Sequence, residues 1–583
     1  MSTNTYKIPI SMDQRPETLL DQARWLLAER AAETAVVLIE HENEQRLSYT
    51  EFFTGAARFA GALEAAGVRP GDLVVLVLQH GEPVLSGFWG ALLLGAVPSI
   101  FSFLTDKLDR ARYFDSVRQM VEHSGVRVVI ASPDLHAPLT EHLSGIESLA
   151  AVLNLEAISG NQAAVSETQL QEYLHRHAAQ ADDTAFLQHS SGSTGLQKGV
   201  MLSHRSVLNQ VASYSAAINL TPEDVVVSWL PLYHDMGLIA GFIMPILQGI
   251  PLILMSPFQW VRDPKILLWA IHRHRGTLCW LPNFAYNFLA TRVRPAALND
   301  LDLSSLRAVI NCSEPVYAES HRAFLEQYAY YGFRETALAT CYAMAENTFA
   351  VTQSVLGTAP RFDAVDRRAL MEDRRAVPVE GDVAAMTFVS CGQPIPNCEI
   401  KIVDEQRQPL PERAVGEIAL RSTFMLSGYY RRPEATTDVM AAGWYFTGDM
   451  GYMAAGELYI TGRKKDLIIV GGKNVYPQDI ENLLNDIPGL HPGRAVAFGI
   501  FNEQLGTEDI AIVAEADAED PEARADIMRE IRGRVAQSTD VMARYVHLVG
   551  AKWLIKTSSG KVARRANREK FLSEVLNKSP EQR

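Results

Sequence analysis

The sequence predicts an α/β fold, with a large N-terminal domain of layered, mostly parallel sheets and helices and a small, mobile α+β C-terminal domain. Three observations lead there. Strand-length apolar runs alternate with helix-patterned segments through most of the chain, the alternation breaks near Ile460 at the charged run Gly462-Arg463-Lys464-Lys465-Asp466, and a shorter α+β pattern follows. The apolar runs lie at 73–78, 128–131, 184–188, 225–230, 252–255 and 306–310, with another at 467–470 past the break. Helical spacing marks 16–30, 49–66, 206–218 and 266–274. The expected boundaries are 1–462 for the large domain, 463–466 for a hinge and 467–583 for the small one. A charged, irregular stretch at about 355–382 reads as an insertion.

Length and composition narrow the function. A chain of 583 residues suggests about three or four units. Its 47% hydrophobic and 21% charged content excludes fibrous and disordered classes. A net charge of −14 repels a polyanion, so nucleic acid is not the expected partner and any phosphate must be held locally. The five cysteines are scattered and form no CxxC pair, which fits a reducing compartment. Residues 1–14 show no secretory pattern, so the expected location is cytoplasmic. Stretches 83–105 and 236–261 carry no charge and could span a bilayer by length. Repeated Gly and Pro divide both, and they are expected to be buried core with no membrane span.

The densest chemical signal is His189-Ser190-Ser191-Gly192-Ser193-Thr194-Gly195-Leu196-Gln197-Lys198-Gly199, set between two strand-length runs. Glycines and small hydroxyl residues let backbone N–H groups approach phosphate oxygens, and Lys198 adds positive charge. The Walker spacing is absent.

With that loop the sequence resembles the adenylate-forming superfamily of acyl-CoA synthetases, luciferases, peptide-synthetase adenylation domains and fatty acyl-AMP ligases. The resemblance recurs in order along the chain. Tyr233-His234-Asp235 resembles the family's aromatic-His gate, and Asn311-Cys312-Ser313-Glu314-Pro315 its adenine-side loop. Cys341-Tyr342-Ala343-Met344-Ala345-Glu346 is similar to the aromatic-Gly-x-x-Glu segment. Tyr445-Phe446-Thr447-Gly448-Asp449 resembles the ribose motif, and Gly462 to Asp466 the hinge, with Lys465 as pivot. Thr557-Ser558-Ser559-Gly560-Lys561 resembles the catalytic-lysine loop.

The resemblance implies an ATP-dependent enzyme with Lys561, His234, Glu346 and Thr194 in catalysis. ATP would meet Ser190, Ser191, Gly192, Ser193, Thr194, Gly195, Lys198, Ser313, Glu314, Pro315, Cys341, Tyr342, Ala343, Asp449, Arg463 and Lys561. Mg2+ would take the carboxylate of Glu346 and the hydroxyl of Thr194, since magnesium uses few protein ligands. The acyl pocket would involve His234, Trp280, Asn283, Phe284, Ala285 and Met344.

Several segments are similar to the fatty acyl-AMP ligase subfamily: the insertion leading to Val389-Ser390-Cys391-Gly392, Pro282-Asn283-Phe284-Ala285-Tyr286, and Tyr476-Pro477-Gln478-Asp479. This implies a fatty or related acid as substrate and a holo acyl carrier protein, through its phosphopantetheine thiol, as acceptor. An acyl-CoA synthetase and a catalytically silent binding protein are the alternatives. Segment 556–583 holds eight basic and three acidic residues, a local excess suited to an acidic carrier. The chain departs from the subfamily at Trp280-Leu281, where Gly-Gly is usual, and at Ala343 in place of glycine. Added bulk there is expected to reshape the acyl channel. Cys312 and Ser313 replace the usual Gly-Ala.

Overall fold

A computed structural model describes residues 9–41, 43–105, 110–160, 165–190, 198–379, 385–470, 473–502, 507–518, 520–539, 541–557 and 560–576. At its centre is a nine-stranded sheet. The order is Gln393–Pro394, Ala350–Gln353, Leu338–Ala343, Ala308–Asn311, Leu278–Leu281, Val226–Ser228, Leu252–Met255, Thr34–Glu40 and Asn43–Ser48. The six strands from Leu338–Ala343 to Thr34–Glu40 are parallel. Runs such as Leu278–Leu281 and Leu252–Met255 are buried at every position, which is why they read as unbroken apolar stretches without alternation. A second, wholly parallel sheet is built from Val97–Ile100, Leu73–Val77, Val128–Ala131 and Ala151–Asn154.

The two charge-free stretches resolve into broken core. One holds the helix Glu82–Leu93 and the strand Val97–Ile100. The other runs through the π-helical Met236–Ile243, the helix Met244–Gln248, the strand Leu252–Met255 and the helix Pro257–Arg262. Among the described residues, no helix is long and apolar enough to cross a membrane.

Strand Glu457–Arg463 still belongs to a five-stranded sheet; the turn Lys464–Asp466 follows, and beyond it the strands pair only with one another. Leu490–Asn502, Thr507–Ala516 and Ala543–Val549 form the C-terminal sheet, packed by the helices Pro477–Leu483 and Pro521–Thr539.

The insertion is more ordered than its composition suggested. Phe362–Asp366 pairs antiparallel with Ala385–Val389, and the helix Arg367–Glu372 follows the first strand. Charge hid the strand because Asp363 is buried by its partners: the Tyr452 hydroxyl donates to it at 2.7 Å and Arg413 donates to both its oxygens at 3.0 and 3.3 Å. The same insertion grips the C-terminal unit. Met371, 7% exposed, joins a cluster with Ile468, Val475 and Ile480. Asn474 donates to the Met371 carbonyl at 2.9 Å, Lys473 pairs with Glu372 at 3.6 Å, and Arg367 donates to the Gln537 carbonyl at 3.3 Å.

The basic C-terminal segment spends much of its charge internally. Arg565 pairs with Glu569, Arg568 donates to the Gly499 carbonyl, and Lys570 donates to the Trp553 carbonyl across the Trp553 ring. The excess counted along the sequence is thus partly structural.

Two outcomes are expected from this contact. Met371→Ala should weaken docking of the C-terminal unit by about 2–5 kcal/mol, seen as faster hydrogen exchange at 468–475 than in the parallel sheets. Asp479 is the second probe: burial pushes its carboxyl up to about 7, with Arg367 pulling it down and Glu481 adding to the rise. A raised folded pKa means that stability tied to Asp479 falls as pH climbs from about 4 to about 7, then levels off. Asp479→Asn should therefore stabilise the protein by about 1–2 kcal/mol above pH 7 and leave it unchanged near pH 4, read from thermal melts.

Candidate active site

Four adjacent parallel strands end at one edge of the main sheet, and each releases a segment carrying expected site residues. Val226–Ser228 leads to His234, Leu278–Leu281 to Phe284, Ala308–Asn311 to Ser313 and Leu338–Ala343 to Glu346. The carboxyl ends of parallel strands are where open α/β sheets hold ligands.

Lys561 arrives from the C-terminal unit. Its Nζ donates to the Ser313 carbonyl oxygen at 2.6 Å. Ser313 sits at φ +69°, a left-handed conformation that costs a non-glycine residue about 1–3 kcal/mol. Cys312 and Ser313 are the pair expected to replace Gly-Ala, and the Ser313 carbonyl accepts the lysine. Lys561 also acts on His234, whose imidazole is pushed down to about 3 by burial first and by the lysine charge second. The ring is neutral at physiological pH. Asp235 responds in the opposite direction: burial raises its carboxyl, while the Met236 N–H, donating at 2.8 Å, and Lys561 restrain the rise. The helix begun at Met236 presses against the His234 segment because Gly237 has no side chain; a Cβ there would lie 2.2 Å from the Pro231 carbonyl oxygen.

The loop expected to hold phosphate spans a hairpin. Strands Thr184–Ser190 and Lys198–Ser203 pair antiparallel, with Ser190 opposite Lys198. Ser191, Gly192, Ser193, Thr194 and Gly195 lie outside the described residues. Lys198 stands 4.5 Å over the Tyr429 ring, and the Tyr429 hydroxyl donates to Glu346 at 2.8 Å. Glu346 and the strand that begins at Lys198 therefore meet across Tyr429, which sequence reasoning passed over. Its signal was faint: Gly428–Tyr429 is a two-residue strand that matters only because it pairs with Lys198–Ser203.

A second cluster lies beside it. Tyr342 donates its hydroxyl to Asp449 at 2.6 Å, and Arg463 Nε pairs with the other Asp449 oxygen at 3.2 Å. Lys465, in the turn after Arg463, has its ammonium pKa lowered by burial and by the Arg463 charge. Arg564, in the helix after the Lys561 loop, donates to both Glu481 oxygens at 2.8 Å, to Asp466 at 2.8 Å and to the Ala497 carbonyl at 2.9 Å. The lysine loop and the turn that follows Arg463 are thereby joined through one guanidinium.

Some expected contacts resolve differently. Trp280, expected in the acyl channel, is core: it is 1% exposed and its indole N–H donates to Tyr214 at 2.8 Å. Asn283 donates to Ser320 and accepts from Asn311, so its amide is used in positioning helix Asn283–Arg292 against its neighbours. Glu314 accepts the Phe284 N–H at 3.0 Å and serves the start of the same helix. The side chains of Cys341 and Ala285 are buried among apolar neighbours. Pro315 is exposed, and Ala343 and Met344 are partly buried.

Tyr429→Phe keeps the ring under Lys198 and removes the donor to Glu346. A hydrogen bond to a charged group contributes about 1.5–3 kcal/mol, so kcat/KM for ATP should fall about tenfold or more in ATP–pyrophosphate exchange, with the melting temperature little changed.

Comparison with known proteins gives the family. The AMP-binding enzyme family matches residues 24–430. JamA of Moorena producens (strain JHB), a medium-chain-fatty-acid–[acyl-carrier-protein] ligase, is 30% identical over 97% of each chain. A relative from Caulobacter vibrioides whose name places it among the acyl-CoA synthetases is 31% identical over 93% of each chain. A solved structure from studies of fatty acyl-adenylate ligases from E. coli and L. pneumophila gives a TM-score of 0.86 at 28% identity, covering 96% of this chain and 98% of that one. The chain belongs to the AMP-binding enzyme family.

Proposed function

We propose that this enzyme joins a fatty or related carboxylic acid to AMP and then passes the acyl group to the phosphopantetheine thiol of an acyl carrier protein. The observation that carries the reading is Lys561, delivered from the C-terminal unit onto the Ser313 carbonyl beside His234. In the first step a carboxylate oxygen attacks the α-phosphorus of ATP, the bond to the bridging oxygen breaks, and pyrophosphate leaves with its electron pair. Two anions must meet, so catalysis is mainly charge neutralisation and positioning. Lys561 would bridge the carboxylate and the α-phosphate. Lys198 and Arg463 would add positive charge, Asp449 would accept the ribose hydroxyls, and Tyr342 would offer adenine a face. His234, neutral, would separate the acyl and nucleotide sides without adding charge.

Glu346 suits a magnesium ion, since its carboxylate is partly exposed and its described partner at Oε1 is a neutral hydroxyl. Among the described residues no group of three or more His, Cys, Asp or Glu side chains gathers, which matches an ion held largely by substrate phosphates. Glu346, with Thr194, would hold Mg2+, whose charge offsets that of the phosphates.

In the second step the thiol attacks the acyl carbonyl carbon and AMP leaves. For this, residues 467–583 would turn about Lys465, withdrawing Lys561 from 1–462. The insertion's grip on Met371, Asn474 and Lys473 opposes that rotation and favours the arrangement seen here. The likeness to JamA supports a carrier protein as acceptor over coenzyme A. The acyl-CoA alternative keeps support from the Caulobacter relative.

Lys561→Ala should abolish ATP–pyrophosphate exchange across a panel of carboxylic acids while sparing thiol transfer from supplied acyl-AMP. Equal loss of both half-reactions would remove the lysine from the role assigned to it. Product analysis with coenzyme A or holo carrier protein as acceptor decides between the two thiols, and efficient coenzyme A thioester formation would overturn the carrier reading.

A further inference from the structure

An acid held at Lys561 must send its chain away from that centre, and the side chains around it leave unequal routes. Toward the sheet the way is shut. Trp280 lies in register with Ile310, on the strand that leads to Ser313, and its indole N–H donates to Tyr214, whose hydroxyl donates to Gln353 at 2.9 Å. A chain entering there would have to break both of these buried hydrogen bonds.

The other route passes Phe284, which is 44% exposed although its backbone is fixed to Glu314, the neighbour of Ser313. Behind it stand two indoles. Trp229, at the head of the segment leading to His234, and Trp260 stack with centroids 3.7 Å apart and planes 5° from parallel. Phe284 meets both edge-on at 6.2 Å, and Phe288 leans on Trp260 at 5.2 Å. Both indoles are buried, yet neither N–H has a hydrogen-bond partner among the described residues. Buried indole donors ordinarily find an acceptor.

We infer that Trp229, Trp260 and Phe284 form the end wall of the acyl pocket and select compact, aryl-ended acids over long straight chains. The inference rests on the acyl-adenylate reading and names its substrate class. A parallel indole pair braced by two further rings yields little to an advancing chain, because overpacking a close-packed site forces side chains off their rotamers. An aryl group instead gains edge-to-face contact with the half-exposed Phe284 ring.

The test is ATP–pyrophosphate exchange by the full-length enzyme with 3-phenylpropanoic, octanoic and palmitic acids, comparing wild type with Trp260→Leu. The expected result is that wild-type kcat/KM for phenylpropanoic acid exceeds that for palmitic acid by about tenfold or more, and that Trp260→Leu narrows or reverses the ratio by improving palmitic acid. Palmitic acid as the best wild-type substrate would overturn the inference while leaving the adenylation reading intact. So would an unchanged ratio in a Trp260→Leu protein that melts as the wild type does. If that variant does not fold, Phe284→Ala, which alters a half-exposed ring, carries the same comparison. Failure of wild-type exchange with every acid in a broad panel would overturn the adenylation reading and this inference with it.

Discussion

The bond from Lys561 to the Ser313 carbonyl is the interaction on which the rest of the site depends. It places a positive charge from one structural unit at the strand ends of another, in a chain whose net charge is −14. Its neighbours feel the charge: burial first and the lysine second hold the His234 imidazole neutral, and the lysine helps to limit the rise of the Asp235 carboxyl. A left-handed serine is tolerated to present the carbonyl. Without the C-terminal unit the strand ends would lose the cation that the proposed adenylation needs there.

Two devices hold that unit in place, and they work differently. The insertion clamps it from outside, through the buried Met371 side chain and contacts to Asn474, Lys473 and Gln537. Arg564 ties it together from inside, with Asp466 and Glu481 on one guanidinium. A bidentate, partly buried arginine is costly to separate from its partners, whereas a single buried methionine can be withdrawn as one piece of apolar surface. The inner tie is therefore the more permanent of the two.

Much of this was legible in the sequence. Parallel strands buried on both faces announce themselves as unbroken apolar runs, and the motifs at 233–235, 311–315 and 342–346 lie at the ends of three such strands. What stayed hidden depends on tertiary partners. Asp363 looked like loop charge because nothing local shows that Tyr452 and Arg413 will bury it. Trp280 sits one strand position from the site, yet its direction is set by Tyr214 on a distant helix. Glu314 and Asn283 carry functional residue types but are used as structural hydrogen-bonding groups, and local sequence cannot separate the two uses. Tyr429 was invisible for the converse reason, since its importance comes from a two-residue strand pairing with the phosphate hairpin.

The Arg564 tie has a mechanical consequence. Because it fastens the helix after Lys561 to the residue just beyond Lys465, the C-terminal unit would turn as a stiff lever in the proposed rotation, with its short arm at the turn. A small change in backbone torsion at the turn would then be magnified into a large sweep of the ammonium group, with little energy absorbed by bending in between. In the proposed rotation such a lever would need no separate signal to clear the site, since any force that turned its short arm would move the charge.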